Sequence, residues 1–221
     1  MKDNYTHIAV ILDRTGSMES IRDDTIGGFN AFLNAQKAES SSATLTLVQF
    51  DSQDPYEVIH QFKPLQEVPE LTRETFVPRA TTPLLDAIGR GINDLEKGLA
   101  DLAEEDRPAR VVMVIITDGQ ENASREFRKD QIEKMIKEKQ EKSDWQFVFL
   151  SADLAAIGDA LAAGMPAART LAHDKDSRGV SAAWASLSRS VAAYRAGQQE
   201  DVSFTEEDRT EQNIEKKRKF E

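Results

Sequence analysis

The sequence predicts a three-layer, doubly wound α/β fold: a Rossmann-like, mostly parallel sheet with one antiparallel edge strand and helices on both faces. Three observations predict it. Two short runs, Ile8-Ala9-Val10-Ile11-Leu12 and Val111-Val112-Met113-Val114-Ile115-Ile116, are wholly apolar, as strands covered on both faces must be. Segments of helical period alternate with strand-like runs along the chain, the pattern of a wound parallel sheet. Finally, the strand-like runs 43–50 and 56–62 are joined only by Asp51-Ser52-Gln53-Asp54-Pro55, which is turn chemistry and too short for a parallel crossover.

Taken in order, the first strand ends at Asp13 in the turn Asp13-Arg14-Thr15-Gly16-Ser17-Met18. A helix follows from Ser20 to about Ala38, with Ile21, Thr25, Phe29 and Phe32 or Leu33 on one face. Gly27-Gly28 interrupts it, so either the helix weakens there or its backbone lies close against the sheet. The run 56–62 carries Glu57, His60 and Gln61, polar content that suits an edge strand. Residues 63–79 hold Pro64, Pro69 and Pro78 and read as a loop with at most one helical turn. From Pro83 to Ala103, Leu85, Ile88, Ile92, Leu95, Leu99 and Leu102 recur in steps of three and four, an amphipathic helix. Pro83 suits the first helical position, which makes Thr82 the expected N-cap.

The strand 111–116 is the most apolar run and the expected centre of the sheet, and it ends at Thr117-Asp118-Gly119. Phe127 to Lys142 reads as a charged surface helix striped by Ile132, Met135 and Ile136. Trp145 to Leu150 is a further buried strand, followed by a short Ala-rich helix ending near Gly164 and room for one short strand at Thr170–Ala172. A helix from Ser181 to Ala196, with Trp184, Leu187, Val191 and Tyr194 on one face, closes a single domain spanning 1–197. Residues 198–221 are densely charged and are expected to form a flexible tail without a packed structure.

With 221 residues and 39% hydrophobic content, the chain can bury one substantial core. A formal net charge of −11 argues against a nucleic-acid surface, which needs a concentrated basic face. Zero cysteines exclude a disulfide framework, a thiol nucleophile and a thiolate zinc cluster. No run approaches the roughly 20 apolar residues of a membrane span, so a cytoplasmic protein without a membrane partner is expected.

Chemistry is concentrated at two strand ends. In open α/β sheets ligands bind in the crevice beyond the strands' carboxyl ends, where Asp13 and Asp118 are expected. Thr15 and Ser17 follow Asp13 at alternate positions, so a tight turn can aim all three oxygens at one point, and hard oxygen donors suit a divalent cation such as Mg²⁺. The set Asp13-x-Thr15-x-Ser17, then Thr82 ahead of a helix, then Thr117-Asp118-Gly119 resembles the metal-ion-dependent adhesion site of the von Willebrand factor type A domain family. It departs from that family's Asp-x-Ser-x-Ser pattern at Thr15, which keeps the hydroxyl. The resemblance covers about Thr6 to Gly197, and the chain resembles the stand-alone domains found in bacteria and phages.

It implies that Ser17 and Thr82 ligate the ion through hydroxyls, that Asp13, Thr15 and Asp118 act directly or through water, and that the ion is Mg²⁺, with Mn²⁺ or Ca²⁺ as alternatives. A protein partner would supply an Asp or Glu carboxylate to an exchangeable position, making the interface metal-dependent. Neutral hydroxyl donors imply weak intrinsic affinity that the partner strengthens.

Blander readings compete for each residue. Thr82 serves equally as a plain N-cap, Asp118-Gly119 as an ordinary turn and Asp13 as a helix cap. Arg14 reads as a solvated side chain or a contact for an acidic partner. A phosphoester hydrolase using the same crevice is the alternative function. Asp13-x-Thr15 lacks the second aspartate of a haloacid dehalogenase-type loop, however, and Ser17 has no evident base. His7, His60 and His173 read as surface or structural residues, and no phosphate-cradling Gly-Lys-Ser/Thr motif is present.

Overall fold

A computed structural model describes residues 2–210 of the chain. Five parallel strands and one antiparallel strand form a single sheet in the order β3-β2-β1-β4-β5-β6. These are β1 (Lys2–Asp13), β2 (Ser42–Phe50), β3 (Glu57–Pro64), β4 (Pro108–Thr117), β5 (Gln146–Ser151) and β6 (Thr170–Ala172). β3 pairs antiparallel with β2 at the edge, as its short connection requires. The chain winds outward from β1 through β2 to β3, then returns across the sheet to β4 on the other side of β1. The winding therefore reverses between β1 and β4, the position at which such sheets open a crevice at their carboxyl ends.

Alternation along the central strands sorts the core into two layers. Ile8, Val10 and Leu12 of β1 and Val112, Val114 and Ile116 of β4 pack beneath α1 (Arg22–Ala38) and α5 (Ser177–Arg195). Ala9, Ile11, Met113 and Ile115 face α2 (Leu84–Asp101), α3 (Lys129–Ser143) and α4 (Leu154–Ala162). Both faces are covered, which is why these strands carry no polar alternation. Gly28 is explained by the first layer. A Cβ at that position would lie 2.1 Å from Trp184 Cδ1, so α1 and α5 meet only because the side chain is missing, whereas Gly27 has open space around it.

Two expectations need correction. Thr82 is not the N-cap of α2: the helix begins at Leu84, Pro83 occupies the cap, and no side chain there closes the first turn. The orphan amides are satisfied instead from the loop after β4, where Glu121 accepts from Leu85 N–H at 2.9 Å and Ser124 Oγ from Asp86 N–H at 3.1 Å. The chain beyond Gly197 also differs from an unpacked tail over the described residues. Val202 and Phe204 are buried in the first core layer, Phe204 N–H donates to Ala168 O at 2.8 Å, and Asp208 is buried against Thr205 and Arg189. These two apolar residues among many charges join the layer that also holds Leu187, Val191 and Tyr194 of α5. The basic run Lys216–Lys219 lies outside the described residues.

Candidate metal centre

β1 and β4 are registered in parallel with Leu12 opposite Ile116, so Asp13 and Thr117 stand side by side one step later. Thr117 Oγ1 donates to Asp13 Oδ2 at 2.6 Å, and the backbone N–H of Thr15 donates to Asp13 Oδ1 at 2.6 Å. This second bond closes an Asx-type turn that swings Thr15 and Ser17 back over the strand end. Ser17 Oγ donates to Asp118 Oδ1 at 2.6 Å and lies 3.2 Å from Thr15 Oγ1, while Thr82 Oγ1 donates to Thr15 Oγ1 at 3.4 Å. The five oxygen-bearing side chains expected to converge, Asp13, Thr15, Ser17, Thr82 and Asp118, are thus linked in one chain of short contacts drawn from three separate loops. Thr117 joins them, although the sequence reading named it only within the Thr117-Asp118-Gly119 step and gave it no role of its own. Its position beside Asp118, on the same side of the sheet as Asp13, was the available signal.

Each loop is tied down independently. Thr82 is strapped to the loop after β4 by two bonds to Asn122, Thr82 N–H to Oδ1 at 2.8 Å and Asn122 N–H to Thr82 O at 3.0 Å. Arg14, expected to be solvated, is buried. Its Nε donates to Asp51 Oδ2 at 2.7 Å and its Nη1 pairs with Glu57. Arg79 Nε reaches the same Asp51 oxygen at 2.9 Å. Backbone bonds from Arg79 N–H to Arg14 O at 2.9 Å and from Gly16 N–H to Ala80 O at 3.1 Å complete the clasp. Asp51 is fully buried. Burial alone would raise its pKa, but hydrogen bonds from Arg14, the Asp54 and Gln53 amides and Arg79 outweigh it and hold the carboxyl below its ordinary value. Met18 is buried too and anchors the turn in the core.

The site's electrostatics are those of carboxylates short of positive charge. Burial pushes Asp13 up to about 6, against the hydrogen bonds from Thr117 and Thr15, and the neighbouring Asp118 charge adds to the rise. One cation is at hand, since Lys175 Nζ lies 2.6 Å from Asp118 Oδ2, which nevertheless has no aligned hydrogen-bond donor. Among the described residues no trio of His, Cys, Asp and Glu converges, so any ion here would rest on two carboxylates and neutral hydroxyls. That donor set suits a hard cation that keeps several waters. Gly119 borders the same group: a Cβ there would stand 3.7 Å from Ser17 Oγ and 4.0 Å from Thr82 Oγ1, in ordinary contact with both. On donor chemistry, two buried carboxylates and three hydroxyls linked at one strand end, the residues fit a divalent ion. His7 and His173 are buried and bonded elsewhere, to Thr44 Oγ1 at 2.8 Å and to Asp174 O at 3.0 Å.

No family model matches the chain, and no curated protein matches it. Among solved structures, the chain is similar to the pilus adhesin SpaC of Lactobacillus rhamnosus GG in its open conformation. The TM-score is 0.64 at 12% identity over 87% of this chain and 30% of that one. It is also similar to the manganese-loaded TRAP protein of Plasmodium vivax, with a TM-score of 0.52 at 14% identity over 78% of this chain and 70% of that one. Proximal thread matrix protein 1 of the mussel byssus matches at a TM-score of 0.41 and 14% identity, over 68% of this chain and 37% of that one. The chain thus spans about a third of the length of two of these three. At such identities the likeness shows the fold alone, a mostly parallel α/β sheet with one antiparallel edge strand and helices on both sides.

Proposed function

We propose that the chain is a divalent-metal-dependent protein-interaction module, in which Asp13, Thr15, Ser17, Thr82 and Asp118 hold Mg²⁺ or a similar ion. A carboxylate from a partner protein completes the ion's shell. The observation that carries this reading is the meeting of those five side chains at the β1–β4 reversal. When bound, the ion supplies a Lewis-acidic point to which an Asp or Glu of the partner attaches. This chain's residues position the hydroxyls, exclude bulk water from Asp13 and, through the Arg14–Asp51–Arg79 clasp, keep two of the contributing loops at fixed separation. The descriptions of two structural neighbours, one a pilus adhesin and one loaded with manganese, support the same reading.

The test is calorimetric titration of Mn²⁺ and Mg²⁺ into chelator-treated protein, repeated for Asp118→Ala and Ser17→Ala. Binding is expected in the native chain and loss of at least tenfold in affinity in each variant. A pull-down from the native host in Mg²⁺ and in chelator then reads the partner. Native protein that binds neither ion, or partners that persist equally in chelator and in Asp118→Ala, would sink the reading.

A further inference from the structure

Lys175 is the one feature of the site that neither the donor set nor its supporting clasp requires. It sits between β6 and α5 on a loop fixed at both ends. His173 N–H donates to Ser151 O at 3.0 Å on one side, and on the other Asp176 caps α5 by accepting from Gly179 N–H at 2.9 Å. Gly179 also lets the helix start close against Asp174, whose carbonyl oxygen lies 2.4 Å from where a Cβ would stand. So held, the loop sends Lys175 across to Asp118 Oδ2 at 2.6 Å, with Asp118 buried and the lysine about one third exposed.

A divalent ion drawing on Asp118 would sit within a few ångströms of this ammonium, and the two positive charges oppose each other. Resting on the metal-dependent reading above, we infer that Lys175 is a built-in counter-cation: it neutralises Asp118 while the metal is absent, must yield when the metal arrives, and so sets the chain's affinity for the ion below what the oxygen donors alone would give. The lysine side chain is already part-exposed, so on yielding its ammonium passes into water. Lysine is also the cation suited to this exchange, being a strongly hydrated point charge on a flexible stem.

The experiment titrates Mn²⁺ into the native chain, Lys175→Gln and Lys175→Arg, and melts each in chelator and in saturating Mn²⁺. Removing one positive charge at this range should tighten Mn²⁺ binding about tenfold in Lys175→Gln, while Lys175→Arg stays near the native value. In chelator Lys175→Gln should melt below the native chain, because Asp13 and Asp118 then repel without a counter-charge, and it should gain more from Mn²⁺ than the native chain does. A native chain that binds Mn²⁺ alongside a Lys175→Gln variant of equal or weaker affinity overturns the counter-cation role and leaves the metal reading standing. If no chain binds Mn²⁺ and no melting point responds to it, the metal reading fails and takes this inference with it.

Discussion

His7 shows how one buried side chain sets a property of the whole molecule. It lies within β1, wholly buried, with Nδ1 2.8 Å from Thr44 Oγ1 and its ring stacked on Phe62 at a centroid distance of 4.1 Å. Burial pushes its pKa from the ordinary 6.5 down to about 3, so the folded chain keeps it neutral where the unfolded chain takes up a proton. Its effect on stability is therefore absent at pH 7 and grows as pH falls from 6.5 toward 3. By pH 5 the loss is about 2 kcal/mol. Urea denaturation of the native chain at pH 7 and pH 5 should show this drop, and His7→Gln should flatten it. An equal drop in the variant would place the acid sensitivity elsewhere. The sequence left His7 open between a surface and a structural histidine, because the burying neighbours Thr44 and Phe62 come from other strands.

At the scale of elements, the loop after β4 and the start of α2 hold each other. Asp86, in the first turn of α2, is buried and accepts the backbone N–H groups of Arg125, Glu126 and Phe127 at 2.8, 2.9 and 2.9 Å, while Glu121 returns to Leu85 N–H. Asp86→Ala leaves those amides without an acceptor and should cost about 2–4 kcal/mol in chelator, read by chemical denaturation. Asp86→Asn, which retains one acceptor oxygen, should cost less. This mutual capping is also why Thr82 misled as an N-cap: local spacing shows which residue precedes a helix but not that a distant loop has already satisfied its amides. The site itself was more legible, because Asp13, Thr15 and Ser17 are fixed by a local turn and both aspartates end runs that announce themselves as buried strands. Arg14, Asp51 and Arg79 were not legible as a clasp, since it is made across three loops whose proximity only the assembled sheet creates.

For the whole molecule, the antiparallel edge strand and the helices on both faces followed from connection length and periodicity, whereas the end of the packed chain did not. Residues 201–208 lie in a charge-rich stretch, yet Val202 and Phe204 enter the core, Ser190 Oγ donates to Ser203 O at 2.7 Å, and Arg169 pairs with Asp201 at 3.2 Å. Ending the chain at Gly197 should lower stability by about 3–5 kcal/mol and the melting temperature by roughly 10 °C, measured by calorimetry. An unchanged melting point would show that the segment only rests on the surface. The borders of the sheet carry a different consequence. On one side β6 is three residues long, and on the other β3 is thrown out of register twice against β2, with Phe62 in a left-handed conformation at φ 46°. Neither border offers a long, even ladder of unpaired amides and carbonyls. Lateral growth by strand addition is discouraged on both flanks, so fibrils and swapped sheets find no ready template there.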